Sequence, residues 1–543
     1  MFNNKMAHKP NAGNTLLGVF SIATIRDYLE ITLEGKSLLS QSEPLTSLKV
    51  FFLHFNSFYF LVYACLSLIL YLFVQKKITI SDCFRIGVLA MPLIWIGPLF
   101  DYFVIGDFDM LYPRNPMNVI RNIHHFADPN YNYEGMTMGM RFEIMLAGSG
   151  GFAFLYYKTK TIISSFLGGI CISFACIFIG LLVPFLTQFY EYGFNFGYHE
   201  LYNSLLLHQG FVIHGATSVI ALIYLLLCLT LFSIAYYIRN KKFFLAVVGN
   251  FRWTRAIHYL MLFGCGILYI YYNPPMLSSA YDGDFEFLST IWTHPSDILG
   301  IFMAFVAIFL SFQSAVIFND IYDYDIDMVS NVERPLVTQE IPVSEYRLLA
   351  KLFVILALTI AFCINETFFF FVLLYHLLAF LYSAPPIRMR QFFLLSNIEL
   401  AFIFLTSFHA GTTVLVSTYQ FEHIPPYITF GLLLSYIIVL SIKDSKDYEG
   451  DKMSHVQTIH TLLGQRYGNI VTTISVSITI LLTPVLLHLT HLLLFCASIC
   501  LLFLLMIILI KKYRIKERLV TSLYFIYVSV IFYYLIFQNK PIM

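Results

Sequence analysis

The sequence predicts an all-α, polytopic membrane protein. Of its 543 residues, 58% are hydrophobic and 12% are charged, whereas about 25% of the residues of a soluble globular protein are charged. Apolar runs that are long enough to cross a bilayer recur along the chain, since about 20 residues span the hydrocarbon core as a helix. We therefore expect a nine-helix bundle, preceded by about four to five N-terminal transmembrane helices. The formal net charge is +1, and we expect no nucleic-acid partner.

The N-terminal segment, residues 1–49, is expected to stay on the mature protein. Its first residues lack the basic region, the apolar core and the small-residue cleavage site of a signal peptide. Residues 14–34 contain several charges, Arg26 and Asp27 among them, and are too polar to span. We expect them to form a short helix on the membrane surface.

Residues 50–250 are predicted to be a transmembrane region without a recognisable chemical motif. A short, glycine-containing run at 142–157 is either the end of a helix that begins near Tyr133 or a re-entrant piece. If it spans, the Lys and Arg residues of this region fall on one side, which favours five spans and an external N-terminus. The adjacent His124 and His125 complete no metal-ligand set, so a solvated loop is favoured over a metal site. Four longer apolar runs lie at 50–75, 83–105, 161–188 and 210–238.

The third region, residues 251–543, is predicted to contain nine spans. Basic residues cluster between the eighth and ninth apolar runs, which places that end of the bundle on the cytoplasmic side. The nine runs lie at about 254–272, 294–318, 346–363, 366–383, 394–417, 426–442, 469–488, 490–511 and 518–537.

An acidic motif, NDIYDYDIDMVSNVERP, follows the second of these runs at 319–335. If the helix continues, Asn319, Asp323 and Asp327 lie on one stripe, with Asp320 beside it. Carboxylates spaced in this way repel each other unless a cation lies between them, and hard oxygen ligands with no Cys or His nearby favour Mg²⁺. The alternative is an acidic helix end that faces water.

A second acidic motif, KDSKDYEGD, follows the sixth run at 443–451. Asp444, Asp447 and Asp451 repeat the spacing of Asp320, Asp323 and Asp327. Two such carboxylate faces at the same membrane edge clamp a diphosphate through bridging metal ions, which neither face does alone. Both motifs together therefore favour a metal site over two solvated helix ends.

The chain resembles a known family at these motifs. The order NDxxDxxxD, RPL, YSAPPIR at Tyr382–Arg388 and KDxxDxxGD is similar to the UbiA superfamily of intramembrane prenyltransferases over about residues 252–540. The resemblance implies nine spans and a Mg²⁺-bound diphosphate. The sequence departs from the family at Gln339, where a glycine is usual, so the loop after the RPL segment is expected to differ in shape.

Basic residues lie at the same predicted membrane edge as the two motifs, where they either bind diphosphate or anchor the protein to lipid phosphate. The resemblance favours diphosphate contact for Arg255, Arg388 and Lys443. Arg390 also follows the YSAPP turn. We predict as catalytic Asp323, Asp327, Asp447 and Lys443; as substrate-binding Asn319, Arg255, Arg334, Arg388 and Tyr382; and as metal ligands Asn319, Asp320, Asp323, Asp327, Asp444, Asp447 and Asp451.

The predicted reaction is a Mg²⁺-dependent transfer of a polyprenyl group from an allylic diphosphate to an aromatic quinone precursor or to a hydroxyl acceptor. The alternatives are a phosphoribosyl-type transferase that acts on polyprenyl phosphate, and a cation-coupled transporter, although the two related halves typical of a transporter are absent. The predicted partners are the donor, a small or lipidic acceptor and membrane lipid. Among the deeper polar residues, Glu399 is the first choice for an acceptor contact. The predicted location is a bacterial-type inner membrane, with the active site facing the cytoplasm.

Overall fold

The computed structural model divides into two compact units, residues 1–241 with 292–300 and residues 242–291 with 301–543. The residues described are 12–33, 53–74, 77–105, 116–129, 131, 133, 136–192, 212–213, 215–273, 295–415, 424–445, 447–509 and 517–537.

The described part of the chain is helical, apart from one isolated bridge between Tyr133 and Met136. Eight of its helices are long and apolar enough to cross a membrane, since about 20 residues suffice. They extend over Leu53–Phe73, Ile80–Ile105, Ile162–Tyr190, Ala216–Arg239, Pro295–Tyr322, Val343–Ile364, Glu366–Ser383 and Ile459–Leu486. The prediction of an all-α, multi-pass membrane protein is therefore confirmed.

The first unit contains the four long apolar helices predicted for residues 50–250. Its helices are α1 (Ala12–Leu33), α2 (Asn56–Phe73), α3 (Ile80–Ala90), α4 (Ile96–Phe100), α5 (Pro116–Arg121), α6 (Met138–Thr159), α7 (Ile162–Tyr192) and α8 (Ala216–Arg239). The ambiguous run at 142–157 lies inside α6, which is one helix of 22 residues. Helix α6 packs closely on α7, because a Cβ atom on Gly169 would lie only 2.7 Å from the carbonyl oxygen of Gly148.

Helix α1 forms where the sequence predicts a surface helix, but two of its charged side chains are buried. Arg26 and Asp27 are 1% and 3% exposed. The Arg26 guanidinium lies 5.0 Å from the centre of the Tyr59 ring, and Asn56 Nδ2 donates to Asp27 Oδ2 at 3.4 Å. A cation over an aromatic face and a hydrogen bond to the carboxylate make this burial tolerable.

The second unit contains a helix for each of the nine predicted spans, and four of these helices are among the eight long apolar ones. A short helix α9 (Lys241–Gly249) precedes them, and two short helices, α12 (Tyr324–Ser330) and α17 (Tyr448–Met453), carry parts of the acidic motifs. The nine are α10 (Trp253–Tyr272), α11 (Pro295–Tyr322), α13 (Val343–Ile364), α14 (Glu366–Ser383), α15 (Leu395–Thr412), α16 (Pro426–Val439), α18 (Ile459–Leu486), α19 (Leu493–Leu509) and α20 (Glu517–Phe537).

Two glycines set the approach of α10 to α15. A Cβ atom on Gly266 would lie 2.1 Å from the carbonyl oxygen of Phe408, and one on Gly411 would lie 2.0 Å from that of Phe263. Only glycine permits backbones to approach so closely. The contact brings the first turns of α10 and α15 to the same cavity, described below.

Candidate active site

The two acidic motifs meet in the second unit. Asn331 Nδ2 donates to Asp327 Oδ1 at 3.1 Å and to Asp447 Oδ1 at 3.2 Å, so one amide joins the two segments. The backbone N–H of Gly450 donates to Ser330 Oγ at 3.1 Å. A Cβ atom at position 450 would lie 2.5 Å from that hydroxyl, so glycine is required at this crossing.

The stripe expected from the sequence requires the helix to continue through the first acidic motif. Instead, α11 ends at Tyr322 and α12 begins at Tyr324. Asp323, between them, has φ −98° and ψ 16°. Its N–H still donates to the carbonyl of Asn319 at 2.8 Å, and the N–H of Asp327 donates to the carbonyl of Asp323 at 2.9 Å. The predicted stripe is kept at its start, where Asn319 Nδ2 donates to Asp323 Oδ2 at 2.5 Å.

Arginines join the carboxylates of this motif. Arg334 forms ion pairs with both Asp320, at 2.9 Å, and Asp327. Arg252, which precedes α10, pairs with the same oxygen of Asp320, Oδ1. Asn250 Nδ2 donates to Asp320 Oδ2 at 2.8 Å, which completes a buried, fully hydrogen-bonded carboxylate.

Two further arginines come from the YSAPPIR turn and the residues after it. Arg388 has a left-handed backbone, with φ 41°, and its Nη2 donates to Asp323 Oδ1 at 2.9 Å. Arg390 also pairs with Asp323, contacts Asp451 Oδ1 at 3.2 Å and lies 4.0 Å from Asp447 Oδ2. Arg390 therefore bridges the first acidic motif to the second.

Burial and these contacts shift the pKa values of two acidic residues in opposite directions. Burial raises the pKa of Asp327 to about 6, against the opposing effect of Arg334. Burial would also raise the pKa of Asp447, but Arg390, with a hydrogen bond from Asn331, holds that pKa below its usual value. Asp447 therefore stays ionised to a lower pH than Asp327.

No group of three or more His, Cys, Asp or Glu side chains in the described residues is arranged to hold a metal ion. The ion pairs account for this arrangement, since guanidinium groups lie between the carboxylates. The donor set still fits Mg²⁺, because it consists of buried carboxylates and an amide, which supply hard oxygen ligands.

A cavity of about 240 Å³ lies beside the two motifs. Its wall changes from charged to aromatic along each helix. Helix α10 contributes Arg255 and then, one turn further in, His258 and Tyr259; α11 contributes Asn319 and then Phe312. The cavity therefore joins a polar end, suited to a phosphate group, to an apolar interior.

Comparison with known proteins identifies the region that builds this cavity. Residues 287–535 match the UbiA prenyltransferase family. The predicted resemblance is thus confirmed over most of the range expected from the sequence.

Curated relatives match only part of this chain. It is 32% identical to a probable homogentisate phytyltransferase 2 of Oryza sativa subsp. japonica, over 27% of this chain and 41% of the relative. It is 26% identical to a homogentisate phytyltransferase of Synechocystis sp., over 32% of this chain and 58% of the relative. A digeranylgeranylglyceryl phosphate synthase of Saccharolobus solfataricus is 24% identical, over 31% of this chain and 58% of the relative. The chain thus spans about half the length of these relatives.

Among solved structures, the chain is similar to a UbiA homolog from Archaeoglobus fulgidus bound to GPP and Mg²⁺. That similarity has 18% identity and a TM-score of 0.40, and it covers 53% of this chain and 98% of the other.

The cavity brings together many of the predicted site residues. Those that line it are Arg255, Asn319, Arg334, Tyr382, Asp444, Asp447 and Asp451. Four other predicted residues do not line the cavity but form the ion pairs described above: Asp320, Asp323, Asp327 and Arg388. The side chain of Lys443 lies outside the described residues.

Other functional candidates were not predicted from the sequence. Asn331 and Asn250 are single amides outside any acidic spacing, and only the folded chain brings them to the carboxylates. The sequence shows Arg252 only as a basic residue beside a predicted span, and it does not indicate the pairing with Asp320. Glu399, by contrast, was the sequence-based first choice for an acceptor contact. It is buried on α15 with no hydrogen-bond partner among the described residues, and it is not among the residues that line the cavity.

Proposed function

We propose that this protein is an intramembrane prenyltransferase, which moves a polyprenyl group from an allylic diphosphate to an aromatic or hydroxyl acceptor and depends on Mg²⁺. The observation that carries the proposal is the joining of the two acidic motifs by Asn331 and Arg390 at the charged end of one cavity. A diphosphate carries several negative charges, and only a site rich in cations and oxygen ligands binds it as a leaving group.

The metal ligands we propose are the carboxylates and the amide of the two motifs, Asn319, Asp320, Asp323, Asp327, Asp444, Asp447 and Asp451. Bound Mg²⁺ would supply positive charge to the departing diphosphate. Asp444, Asp447 and Asp451 line the cavity directly. Asp323, Asp327 and Asp447 are the carboxylates on which we expect catalysis to depend most.

The arginines have a second role, which is to bind the diphosphate oxygens themselves. Arg255, Arg334 and Arg390 all line the cavity, and a guanidinium fork matches two phosphate oxygens. Arg388 donates a hydrogen bond to Asp323 and so positions that carboxylate. Lys443 precedes the second motif and is proposed to contact the diphosphate as well. Tyr382 and Asn319 complete the polar end of the cavity.

The aromatic interior suits the prenyl group and the cation that forms from it. Phe312, Tyr375 and Phe404 line this part of the cavity. Their faces stabilise positive charge, and their bulk excludes water, which would otherwise quench an allylic cation. Relatives named for homogentisate and for digeranylgeranylglyceryl phosphate support an aromatic or a hydroxyl acceptor.

We place the charged end of the cavity on the cytoplasmic side of a bacterial-type cell membrane. The proposal rests on the basic residues between the eighth and ninth predicted spans, because basic loops favour the cytoplasmic side.

The test uses the purified full-length chain in detergent, with GPP as the donor and homogentisate or geranylgeranylglyceryl phosphate as acceptor. We expect transfer with Mg²⁺ and none with EDTA. Asp447→Asn should reduce transfer by about 100-fold or more, since it removes a charged ligand. Glu449→Gln, an exposed acid two residues away, is the matched control and should keep full activity. Transfer that is unaffected by EDTA or by Asp447→Asn would refute the proposal.

A further inference from the structure

His258 and Tyr436 form a hydrogen-bonded pair in the aromatic part of the cavity. His258 Nε2 lies 3.0 Å from Tyr436 Oη, and both residues line the cavity. They come from different helices, α10 and α16, and both are buried. Of the described residues that line the cavity, His258 alone carries an imidazole, the side chain best suited to taking a proton near neutral pH.

The rings around this pair form an ordered stack. Tyr259 and Phe404 are stacked with centroids 4.2 Å apart and an interplanar angle of 13°. Phe404 and Tyr436 are stacked at 5.0 Å and 7°. The His258 ring stands edge-on to Phe404 at 5.1 Å and 72°. One stack of parallel rings, with a hydroxyl–imidazole pair beside it, matches a flat, hydroxylated ring better than a flexible glycerol chain.

The pair also lies near the position where the reacting carbon should sit. His258 follows Arg255 by three residues on α10, and both line the cavity, so they are about one helical turn, or ~5 Å, apart along the axis. The first carbon of an allylic diphosphate bound at Arg255 would therefore lie within reach of an acceptor held by His258 and Tyr436.

We propose that His258 and Tyr436 form the acceptor subsite, that the acceptor is a hydroxylated aromatic ring, and that His258 takes its proton; this inference rests on the proposed prenyl transfer. The phenol donates its proton to Tyr436 Oη as Tyr436 donates its own to His258 Nε2. The ring carbon next to the phenolic oxygen forms the bond to the first prenyl carbon. The carbon–oxygen bond of the donor breaks, and its electron pair leaves with the diphosphate. The proton on that ring carbon then returns to the phenolic oxygen, and the net proton stays on His258.

The test compares Tyr436→Phe and His258→Gln with the wild-type chain, using GPP as donor and homogentisate as acceptor. The readouts are diphosphate released and prenylated product formed. Tyr436→Phe keeps the stacked ring and removes only the hydroxyl. We expect it to lower transfer by about 10-fold or more, and His258→Gln by about 100-fold, in line with lost acid–base assistance. Diphosphate release should fall much less, so that released diphosphate exceeds product and geraniol accumulates.

Tyr427→Phe is the matched control, because Tyr427 is on the same helix and is 38% exposed. It should keep diphosphate release and product equal. Thermal melting in detergent checks that each variant is folded.

Two outcomes separate this inference from the proposed function. If the wild type transfers GPP to geranylgeranylglyceryl phosphate and to no hydroxylated aromatic ring, or if both variants keep product equal to diphosphate at the wild-type rate, the acceptor subsite is refuted and the prenyltransferase stands. If the wild type does not cleave GPP with Mg²⁺, the proposed function is refuted and the inference with it.

Discussion

At the scale of single residues, the arginine pairs are the feature that sequence spacing did not predict. Arg390 contacts Asp323 and Asp451 and lies near Asp447, three residues that come from two distant segments. Helical spacing places carboxylates on a face, but it does not say which cation neutralises them. Their pairing depends on the fold of the turns at 331–342 and 384–394, where side chains from several helices meet.

Removing the Arg390 charge should strengthen metal binding to the protein without substrate. In Arg390→Gln, the carboxylates of Asp323 and Asp451 lose a competing cation, so we expect Mn²⁺ to bind at least about threefold more tightly, well within the ~4 kcal/mol of two unit charges at 4 Å near a protein surface. Titration of the full-length chain with Mn²⁺, followed by electron paramagnetic resonance, measures this change. Arg347→Gln, at an exposed position on α13, is the control. Equal or weaker Mn²⁺ binding by Arg390→Gln would show that the arginine does not compete with the metal.

Gln339 gives a second prediction at this scale. Its departure from the usual glycine suggested a loop of different shape, but its backbone is left-handed, with φ 60°, a conformation that glycine adopts at little cost. A non-glycine residue there costs about 1–2 kcal/mol, partly offset by the greater freedom of glycine in the unfolded chain.

Gln339→Gly should therefore raise the free energy of unfolding by about 0.5–1 kcal/mol, seen as a higher melting temperature in detergent. Glu340→Gly, at the next exposed position, should lower or not change it, since Glu340 is not among the residues with positive φ. A lower melting temperature for Gln339→Gly would mean that the Gln339 side chain makes a stabilising contact.

At the scale of helices, hydropathy was sufficient to locate the nine helices of the second unit that correspond to predicted spans, because the thickness of the bilayer sets the length of each apolar run. Hydropathy could not predict the break at Asp323 or the 22-residue helix α6. The first depends on how the chain leaves the membrane edge, and the second on close glycine contacts with α7. The sequence did suggest the contact between α12 and α17, because both acidic motifs lie at the same predicted membrane edge.

Gly450 tests that meeting. In Gly450→Ala, the new methyl group would lie 2.9 Å from the carbonyl oxygen of Ile326, and backbone atoms cannot move away as a flexible side chain does. We expect the two short helices to separate, at a cost of about 1–3 kcal/mol, with weaker Mn²⁺ binding and slower prenyl transfer. Melting temperature and Mn²⁺ titration measure the two effects.

The control is Gly180→Ala, where no atom lies within 4 Å of the added methyl. It should leave metal binding unchanged. Equal Mn²⁺ affinity in Gly450→Ala and the wild type would show that the close crossing of α12 and α17 is not needed to assemble the site.

At the scale of the whole molecule, the sequence divides the chain near residue 250, whereas the compact units divide it near residue 241 and assign 292–300 to the first unit. Helix α11 therefore begins among first-unit residues. Asp297 in its first turn is fully buried, and its Oδ1 accepts a hydrogen bond from the backbone N–H of Val212 at 2.9 Å. In the sequence, a charge at the start of an apolar run indicates only the end of a membrane span. Hydropathy therefore could not predict that Asp297 contacts Val212, which lies 85 positions earlier.

This contact predicts that the first unit stabilises the start of α11. In the full chain, Asp297→Ala leaves the Val212 N–H without its acceptor and should cost about 1–3 kcal/mol of stability. In a chain of residues 242–543, Val212 is absent, and the same substitution should cost much less. The difference between the two costs, measured from melting temperatures in the same detergent, gives the energy of the contact, as in a double-mutant cycle.

Asp325→Ala, at an exposed position on α12, should cost the same small amount in both chains. If Asp297→Ala costs as much in the short chain as in the full one, the stability of the α11 start does not depend on residues 1–241.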